Sequence, residues 1–297
     1  MKILNFGSLN LDYIYRVPHF VRPGETLTCL SRETACGGKG LNQSIALSRS
    51  GAKVHHAGCI GAGSEPLVAM LRDNGVDTSG LLPVPGENGH TVIQVNDEGE
   101  NCILYYPGSN AKVTREQARE TIGRYDAGDI IALQNEISAM DAIMKEAHAR
   151  GMRIALNPSP MAGCEELPLA LCSWLFVNED EAMALSRAES HADVEEAIAK
   201  RFPETRIIIT RGAKGAAAVG AGKPRVWQDA FPTKAVDTTA AGDTFEGFFL
   251  GRIAAGDDEQ AALRCAAMAA SIAVSRPGAG PSIPTLDEVL QALKERG

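Results

Sequence analysis

The chain has 297 residues, of which 44% are hydrophobic and 22% are charged, and its formal net charge is −8. This length and apolar content suffice to bury a large core in one domain, and they exclude disordered and fibrous classes. The negative charge and the lack of a basic run exclude nucleic acid as the main partner, because phosphate backbones are bound by clustered Lys and Arg.

The amino-terminal residues and the cysteines indicate the compartment. The first apolar run, 1–8, is too short for a signal sequence and is followed by polar Asn10 and Asp12. The seven cysteines include no Cys-x-x-Cys pair and have no His at metal-ligand spacing. We therefore expect a cytoplasmic protein without a membrane segment, with buried thiols and neither disulfides nor zinc.

Short β-branched runs alternate with helical patterns along most of the chain. The predicted strands are 3–7, 54–58, 130–134, 153–157, 175–178, 206–210 and 216–219. The predicted helices are 40–50, 66–74, 114–125, 139–150, 179–187, 193–202 and 245–255. This alternation predicts an α/β fold with a mainly parallel sheet covered on both faces and ligands at the carboxyl ends of its strands.

Two stretches, 13–33 and 89–106, lack helical periodicity. In the second, the runs 91–95 and 102–106 flank Asn96-Asp97-Glu98-Gly99, which is typical of a β-hairpin. We expect segments of about 12–35 and 89–107 to form a small β-sheet that covers the strand ends as a lid and excludes water. The alternative is an edge extension of the main sheet.

The most informative motif is Asp-Thr-Thr-Ala-Ala-Gly-Asp-Thr-Phe at 237–245. The small residues Ala240, Ala241 and Gly242 allow backbone N–H groups at a helix N-terminus to approach a phosphate closely. Asp243 is then placed to take a proton from a hydroxyl that attacks phosphorus. The alternative is an ordinary acidic residue in the first turn of a buried helix.

Two motifs near the amino terminus are candidates for ligand binding, the first of them for a polyol. Asn10 and Asp12 follow the first predicted strand and could share its hydroxyls, although a turn-forming Asx pair is the alternative. The run 36–42, Cys-Gly-Gly-Lys-Gly-Leu-Asn, opens a helix, and its glycines permit close backbone approach to a ligand. It is not a phosphate-binding P-loop, because Lys39 is followed by Gly, and the glycines at 58–63 lack dinucleotide-binding spacing.

Three further motifs follow predicted strands or helices. Asn178-Glu-Asp-Glu181 fits a helix capping box, or alternatively places Glu181 to orient hydrated magnesium. The run 210–215 is either a cationic loop over a nucleotide or a plain hairpin turn. The run 273–282 ends an alanine-rich helix; beside Asp237 its carbonyls could chelate a monovalent cation, or it is only a Gly/Pro helix stop.

Taken in order, these motifs resemble those of the ribokinase (PfkB-type) carbohydrate kinase family over nearly the whole chain. The run 37–42 resembles the family's amino-terminal signature, Asn178-x-x-Glu181 its magnesium and phosphate motif, and 237–243 its carboxy-terminal signature. The runs 7–12, 23–26, 96–101 and 155–158 resemble the ribokinase branch. The resemblance implies a single ribokinase-like domain, 1–297: a three-layer α/β/α sandwich with a small β-sheet lid.

The resemblance also implies a role for individual residues. Asp243 matches the catalytic base, and the backbone of Ala240, Ala241 and Gly242 matches the anion hole. The matching sugar-site positions are Asn10, Asp12, Gly38, Lys39, Asn42, Glu136 and Asp243. The matching nucleotide positions are Asn178, Thr210, Arg211, Gly212, Ala213, Lys214, Gly215 and Gly242. Glu181 matches a magnesium position that acts through water, and a potassium site is implied at Asp237, Thr239, Ala273, Arg276, Gly278 and Ser282.

The resemblance implies ATP-dependent phosphorylation of a pentose, and D-ribose is the preferred substrate. It also implies that ATP, Mg²⁺ and K⁺ are cofactors and that two copies form a homodimer through the lid. One alternative is a kinase for deoxyribose, fructose or a nucleoside, and another is a catalytically silent sugar- or nucleotide-binding regulator. The third is a nicotinamide-dependent oxidoreductase, although this sequence does not contain the glycine motif of dinucleotide-binding folds.

The chain departs from the family pattern at four positions. Leu41 replaces the usual Ala and Cys36 a common aromatic, so both could reshape the sugar pocket. Ala267 stands where a His often contacts adenine. His90 replaces a small apolar lid residue, and we expect it to be exposed and idle, with tuning of sugar binding as the alternative.

Overall fold

The computed structural model describes residues 1–188 and 190–296. Its strands are β1 (Ile3–Phe6), β2 (Asn10–Arg16), β3 (Ser31–Gly37), β4 (Val54–Ala62), β5 (Asp77–Glu87), β6 (Gly89–Val95), β7 (Asn101–Tyr106), β8 (Ile130–Gln134), β9 (Arg153–Asn157), β10 (Trp174–Asn178), β11 (Arg206–Thr210), β12 (Gly215–Gly220) and β13 (Val226–Asp229). Its helices are α1 (Lys39–Arg49), α2 (Glu65–Asp73), α3 (Arg115–Ile122), α4 (Met140–Ala149), α5 (Glu179–Ser186), α6 (Val194–Arg201), α7 (Ala241–Ala255), α8 (Glu259–Ala273) and α9 (Leu286–Arg296).

The main sheet has the strand order β13-β12-β11-β10-β9-β8-β1-β4-β5. β1 pairs in parallel with β4 and β8, and the parallel pairing continues outward to β5 on one side and to β11 on the other. β12 and β13 are antiparallel and close one edge. The predicted mainly parallel sheet is confirmed, and its antiparallel edge follows from the short connection between β11 and β12.

The main sheet is buried on both faces because adjacent strand residues face opposite helical layers. Ile3 joins the core formed with α1, α2, α7, α8 and α9, whereas its neighbour Leu4 joins the core formed with α3, α4, α5 and α6. Helix α7 lies deep in the first layer, with Phe248 and Phe249 fully buried. The result is the predicted three-layer α/β/α sandwich.

A second, four-stranded sheet has the order β3-β2-β6-β7, and we call it the small sheet. β2 is central, antiparallel to β3 and parallel to β6. The predicted hairpin is confirmed as the antiparallel pair β6 and β7. The alternative of an edge extension is wrong, because none of the described strands pairs with strands of both sheets.

The sequence did not predict β5, β13 or α9. β5 contains Gly80, Pro83, Pro85 and Gly86, which interrupt the alternation that identifies a strand. It forms a strand because it lies at the edge of the main sheet, where the backbone N–H groups that its two prolines lack are not needed for pairing.

All seven cysteines are free, and four of them are buried as predicted: Cys59, Cys164, Cys172 and Cys265. The prediction is wrong for Cys29 and Cys102, which are exposed because one lies in the connection before β3 and the other on exposed β7. No helix within the described residues is long and apolar enough to span a membrane.

Candidate active site

The candidate site lies at the carboxyl ends of the parallel strands, where helices α1 and α7 begin. Glu136 follows β8, and Asn178 and Thr210 end the adjacent strands β10 and β11 opposite each other. Asn10 and Asp12 reach the same region from β2 of the small sheet. Parallel strands present their carboxyl ends at one edge, so residues far apart in the chain converge there.

Asp243 is held in place by amide donors from α1. Its Oδ2 accepts a hydrogen bond from Asn42 Nδ2 and its Oδ1 one from Gln43 Nε2, both at 3.1 Å. The two helices approach closely at Gly247, where an added Cβ would lie 2.4 Å from the Ala46 Cβ. The Asp243 carboxylate is 6% exposed and fixed in orientation, as a general base requires.

The amino terminus of α7 offers free backbone donors. Ala240 adopts the left-handed conformation with φ 59°, and its carbonyl accepts from the Thr244 N–H at 2.8 Å. The N–H groups of Gly242 and Asp243 find no acceptor within residues 1–188 and 190–296. A Cβ added at Gly242 would meet no other part of the protein within 4 Å, so space is open beside this first turn of α7. Free donors and the helix dipole make this end suitable for an anion.

Asp12 lies on β2, and its carboxylate occupies space that is available only because a neighbouring residue on β3 is glycine. Its Oδ1 accepts a hydrogen bond from Thr91 Oγ1 at 2.6 Å, and a Cβ at Gly37 on the paired strand would lie 1.9 Å from its Oδ2. Burial raises the pKa of Asp12, although the Thr91 hydroxyl partly offsets this. The Asx-turn alternative is wrong for Asn10 and Asp12, because both are paired in the strand.

Asn10 and Glu136 are fixed by residues from other elements. Asn10 Oδ1 accepts from Asn110 Nδ2 at 2.8 Å. Glu136 Oε2 accepts from the Ser8 hydroxyl and from the Lys39 N–H. Burial raises the pKa of Glu136 despite these donors.

The glycine-rich turn allows α1 to begin against β1. Gly38 has φ 95°, and a Cβ at Gly40 would lie 2.4 Å from the Ser8 backbone nitrogen. Glycine at these positions therefore lets the turn wrap around Ser8 and brings Lys39 and Asn42 into the site.

Lys39 lies among the acidic residues of the site. Burial would lower the pKa of its ammonium group, but the surrounding carboxylates, with Asp243 and Glu136 the strongest, raise it instead. Lys39 therefore stays charged at neutral pH and offsets part of the negative potential that phosphate groups would meet here.

The model of the pfkB family of carbohydrate kinases matches residues 1–286. The chain belongs to this family. It is 36% identical to the ribokinase of Haemophilus influenzae over 97% of either chain. This relationship confirms the resemblance found in the motifs.

Two solved structures share the fold of this family member. The ribokinase of Thermotoga maritima superposes with a TM-score of 0.89 at 33% identity, covering 99% of both chains. The Arabidopsis thaliana ribokinase complexed with ribose and ATP superposes with a TM-score of 0.88 at 28% identity, covering 99% of this chain and 98% of that one. The ribokinase-like fold expected from the sequence is thereby confirmed.

Asn178 and Glu181 form a reciprocal capping box at the start of α5. The Asn178 side chain accepts from the Glu181 N–H at 2.8 Å, and Glu181 Oε2 accepts from the Asn178 N–H at 2.9 Å. Glu181 also contributes to the raised pKa of Lys39, so its charge reaches the site. The capping-box interpretation is therefore confirmed, and the role of Glu181 toward magnesium stays a prediction.

The turn 210–215 joins antiparallel β11 and β12, and its cationic side chains are already paired. Arg211 lies 3.1 Å from a Glu195 carboxylate oxygen and 3.5 Å from one of Glu179. Lys214 lies 3.7 Å from Glu179. A ligand over this turn would therefore contact mainly the backbone groups of Gly212, Ala213 and Gly215, because the Arg211 and Lys214 side chains are paired with glutamates.

Asp237 ties the loop before α7 to the loop after α8. Its Oδ1 accepts from Thr239 N at 2.9 Å and Thr239 Oγ1 at 2.6 Å, and its Oδ2 accepts from Gly278 N at 2.9 Å. Burial would raise the pKa of Asp237, but these three donors lower it. The carboxylate therefore stays charged.

The other residues of the predicted cation site lie along the irregular chain after α8. The Ala273 carbonyl accepts from Arg276 N at 3.1 Å, and Ser282 Oγ donates to the Ala279 carbonyl at 2.7 Å. The Arg276 side chain instead pairs with Glu288 at 2.7 Å. In the described part of the chain, no three His, Cys, Asp or Glu residues cluster to hold a metal ion.

The four departures from the family pattern have different structural settings. Leu41 and Ala267 are buried in the core, so the bulk of Leu41 packs there. Cys36 is half-buried on β3. The expectation of an exposed His90 is wrong: the half-buried ring lies 5.7 Å from the Tyr13 ring and 4.9 Å from the Tyr106 ring.

Sequence reasoning did not identify five residues that complete the site: Ser8, Gln43, Thr91, Asn110 and Glu246. Gln43 directly follows Asn42 in the glycine-rich motif, so an extension of that motif by one residue could have found it. Thr91 and Asn110 had no such signal, because their partners Asp12 and Asn10 are 79 and 100 residues away in the chain.

Proposed function

We propose that the protein is an ATP-dependent sugar kinase that converts D-ribose to D-ribose 5-phosphate. The observation that carries this proposal is the fixed carboxylate of Asp243 beside two free N–H groups at the start of α7. The similarity to the Arabidopsis ribokinase complexed with ribose and ATP supports the choice of both substrates.

Asp243 accepts the proton of the sugar's primary hydroxyl as the oxygen attacks the γ-phosphorus of ATP. The new O–P bond forms, the bond to the bridging oxygen of ADP breaks, and ADP leaves. The backbone of Ala240, Ala241 and Gly242 stabilises the charge on the transferred group. Asn42 keeps the carboxylate aimed at the hydroxyl.

The sugar is bound by the remaining polar groups at the strand ends. Asp12 and Asn10, on β2, form hydrogen bonds with the ring hydroxyls. The Gly38 backbone and Lys39, at the start of α1, form another wall of the pocket. Glu136 has one oxygen occupied by Ser8 and Lys39 N. We propose that its other oxygen faces the sugar.

We propose that the nucleotide lies over Asn178, the turn 210–215 and Gly242. Glu181 would hold magnesium through water, and the ion, when bound, neutralises phosphate charge. Asp237, Thr239, Ala273, Arg276, Gly278 and Ser282 would hold potassium, chiefly through main-chain oxygens. The Asp237 hydrogen bonds to Thr239 and Gly278 support this, because they keep the two loops adjacent to the anion-binding end of α7.

We also infer that 1–297 forms one domain whose lid, about 12–35 and 89–107, pairs with a second copy in a homodimer. Every residue of β7 is exposed, including Ile103, Leu104, Tyr105 and Tyr106. Apolar strands of this kind are ordinarily covered. The free thiols favour a reducing compartment, which supports a cytoplasmic location.

The test is a coupled assay of ADP release with ribose, deoxyribose, fructose and a nucleoside as acceptors, in potassium and then in sodium. We expect the highest kcat/KM with ribose and faster turnover in potassium. A higher kcat/KM with another acceptor would reassign the substrate. No ADP release with any acceptor, together with thermal stabilisation by ligand, would favour a silent binding protein.

A further inference from the structure

Glu246 is a second carboxyl group directly behind the proposed base. It lies three residues after Asp243 on α7, on the same side of the helix, and is 1% exposed. No motif predicted a role for it, and it forms no ion pair within residues 1–188 and 190–296. A buried carboxylate without a cation is costly, so the group needs a physical explanation.

A chain of side-chain amides fixes what Glu246 faces. Asn5 Nδ2 donates to the Gly40 carbonyl at 2.8 Å. Because a carbonyl can only accept, this contact fixes which end of the Asn5 amide is the nitrogen, and Asn5 Oδ1 is then free to accept from another residue. Asn5 Oδ1 accepts from Gln134 Nε2 at 2.9 Å, and that same nitrogen donates to Gln43 Oε1 at 2.5 Å. The Gln43 Nε2 group is therefore turned toward α7.

Both carboxyl groups meet at that one nitrogen. Gln43 Nε2 donates to Asp243 Oδ1 and to Glu246 Oε2, each at 3.1 Å, which uses both of its hydrogens. Asp243 gains a second donor, Asn42, whereas Glu246 Oε1 is fully buried and has no hydrogen-bond partner in the described chain. Two negative charges sharing one neutral amide repel each other, and the less solvated group takes up a proton more readily.

The surrounding charges agree with this assignment. Burial raises the pKa of Glu246 well above its ordinary value, and the charge of Asp243 raises it further. The side-chain amide of Asn157, the last residue of β9, and the charge of Lys39 on α1 lower it, whereas Glu181 on α5 raises it. The net direction is upward, so the proton stays on Glu246 at pH values where an ordinary glutamate is ionised.

We propose that Glu246 is a positioning residue that carries a proton at neutral pH and, through the shared Gln43 amide, leaves Asp243 as the charged member of the pair. The neutral carboxyl accepts one Gln43 hydrogen without competing for it as a second anion would. Asp243 thus keeps both amide contacts and its charge. This inference rests on the proposed role of Asp243 as the base.

The first test needs no turnover. Infrared spectra of the full-length protein labelled with ¹³C-glutamate are recorded at pH 7 for the wild type, Glu246→Gln and the surface control Glu120→Gln. We expect a band of a protonated glutamate carboxyl in the wild type and in the control, and its loss in Glu246→Gln. Absence of the band in the wild type, or its persistence in Glu246→Gln, would overturn the proposal.

Urea unfolding across pH provides a second readout. A carboxyl whose folded pKa lies above its unfolded value of 4.5 loses stabilisation as pH rises between the two values. The folding equilibrium constant of the wild type should therefore fall relative to that of Glu246→Gln by up to about tenfold per pH unit in this range. Parallel curves for the two proteins would contradict the assignment.

The pH profile of turnover tests the link to Asp243. We expect kcat of the wild type to change at the raised pH where Glu246 ionises beside Asp243, and this step to be missing in Glu246→Gln. A purely structural role would leave the two profiles superimposable, which would refute the coupling. If no acceptor is phosphorylated by any variant, the proposed kinase function fails while the infrared result still stands.

Discussion

The α1 and α7 pair and the small sheet contribute to the same site in different ways. Asp243 is held by two amides from a helix packed deep against the main sheet, whereas Asp12 takes its hydrogen bond from Thr91, its neighbour in the small sheet. The small sheet also carries the exposed strand β7, which touches the main site where Tyr105 Oη donates to the Glu136 carbonyl at 3.2 Å.

In the proposed mechanism, this difference separates catalysis by Asp243 from sugar binding by Asp12. A base must be fixed before the substrate arrives, and burial between two helices provides that rigidity. A substrate-binding residue must admit and then enclose its ligand, and a thin sheet with its own internal hydrogen bonds can shift as a unit. Changes in the helix pair should therefore affect turnover or folding, and changes in the small sheet should affect sugar affinity or assembly.

The largest effect is expected for Asp243→Asn. The amide keeps the size of the side chain but cannot accept the hydroxyl proton, so kcat should fall by about 10²-fold or more. Sugar affinity, measured by isothermal titration calorimetry, should change little. Full turnover by this variant would remove Asp243 from the role of base.

Gly40→Ala and Gly242→Ala compare two glycines of the helix pair. The added methyl at Gly40 would lie within 2.6 Å of Gly7 and Ser8 backbone atoms, so unfolding in urea should show a loss of about 1–3 kcal/mol. At Gly242 it meets no protein atom, and we expect stability within about 0.5 kcal/mol of the wild type. Turnover by Gly242→Ala should fall, because the methyl occupies the approach of the phosphate. Equal stability losses would contradict the packing argument.

Asp12→Asn tests the proposed role of the small sheet in sugar binding. Loss of a charged acceptor should raise KM for the sugar by about tenfold or more, with a smaller change in kcat. Because burial raises the pKa of Asp12, the wild-type KM should rise on acidification at a higher pH than an ordinary aspartate would cause. The variant should lack this rise. A KM of the wild type that is independent of pH down to 4 would argue against Asp12 as the charged acceptor.

The smallest effect on chemistry is expected for Leu104→Asp on β7. Leu104 is 67% exposed, and a charge there should convert a dimer into a monomer, as measured by light scattering, while kcat changes little. Leu290→Asp on α9 is the control, because it alters an exposed leucine outside the small sheet. A monomeric wild type would refute the proposed assembly.

The sequence by itself determined the layered fold, the order of the motifs and the family. Residue periodicity reports which side of a strand or helix is buried, and hairpin and capping signals span only a few residues, so Asn96–Gly99 and Asn178–Glu181 could be interpreted locally. The same reasoning selected Asp243 and its glycine-rich neighbours as candidate residues.

Only the tertiary structure decided which side chains share a partner. Gln43 and Glu246 are 203 residues apart, and nothing local indicates that one amide binds both Glu246 and Asp243. The placement of Leu41 in the core and of His90 between two tyrosines likewise depends on contacts between distant elements. The physical reason is that periodicity determines which face is buried, whereas hydrogen-bond partners depend on how whole elements pack.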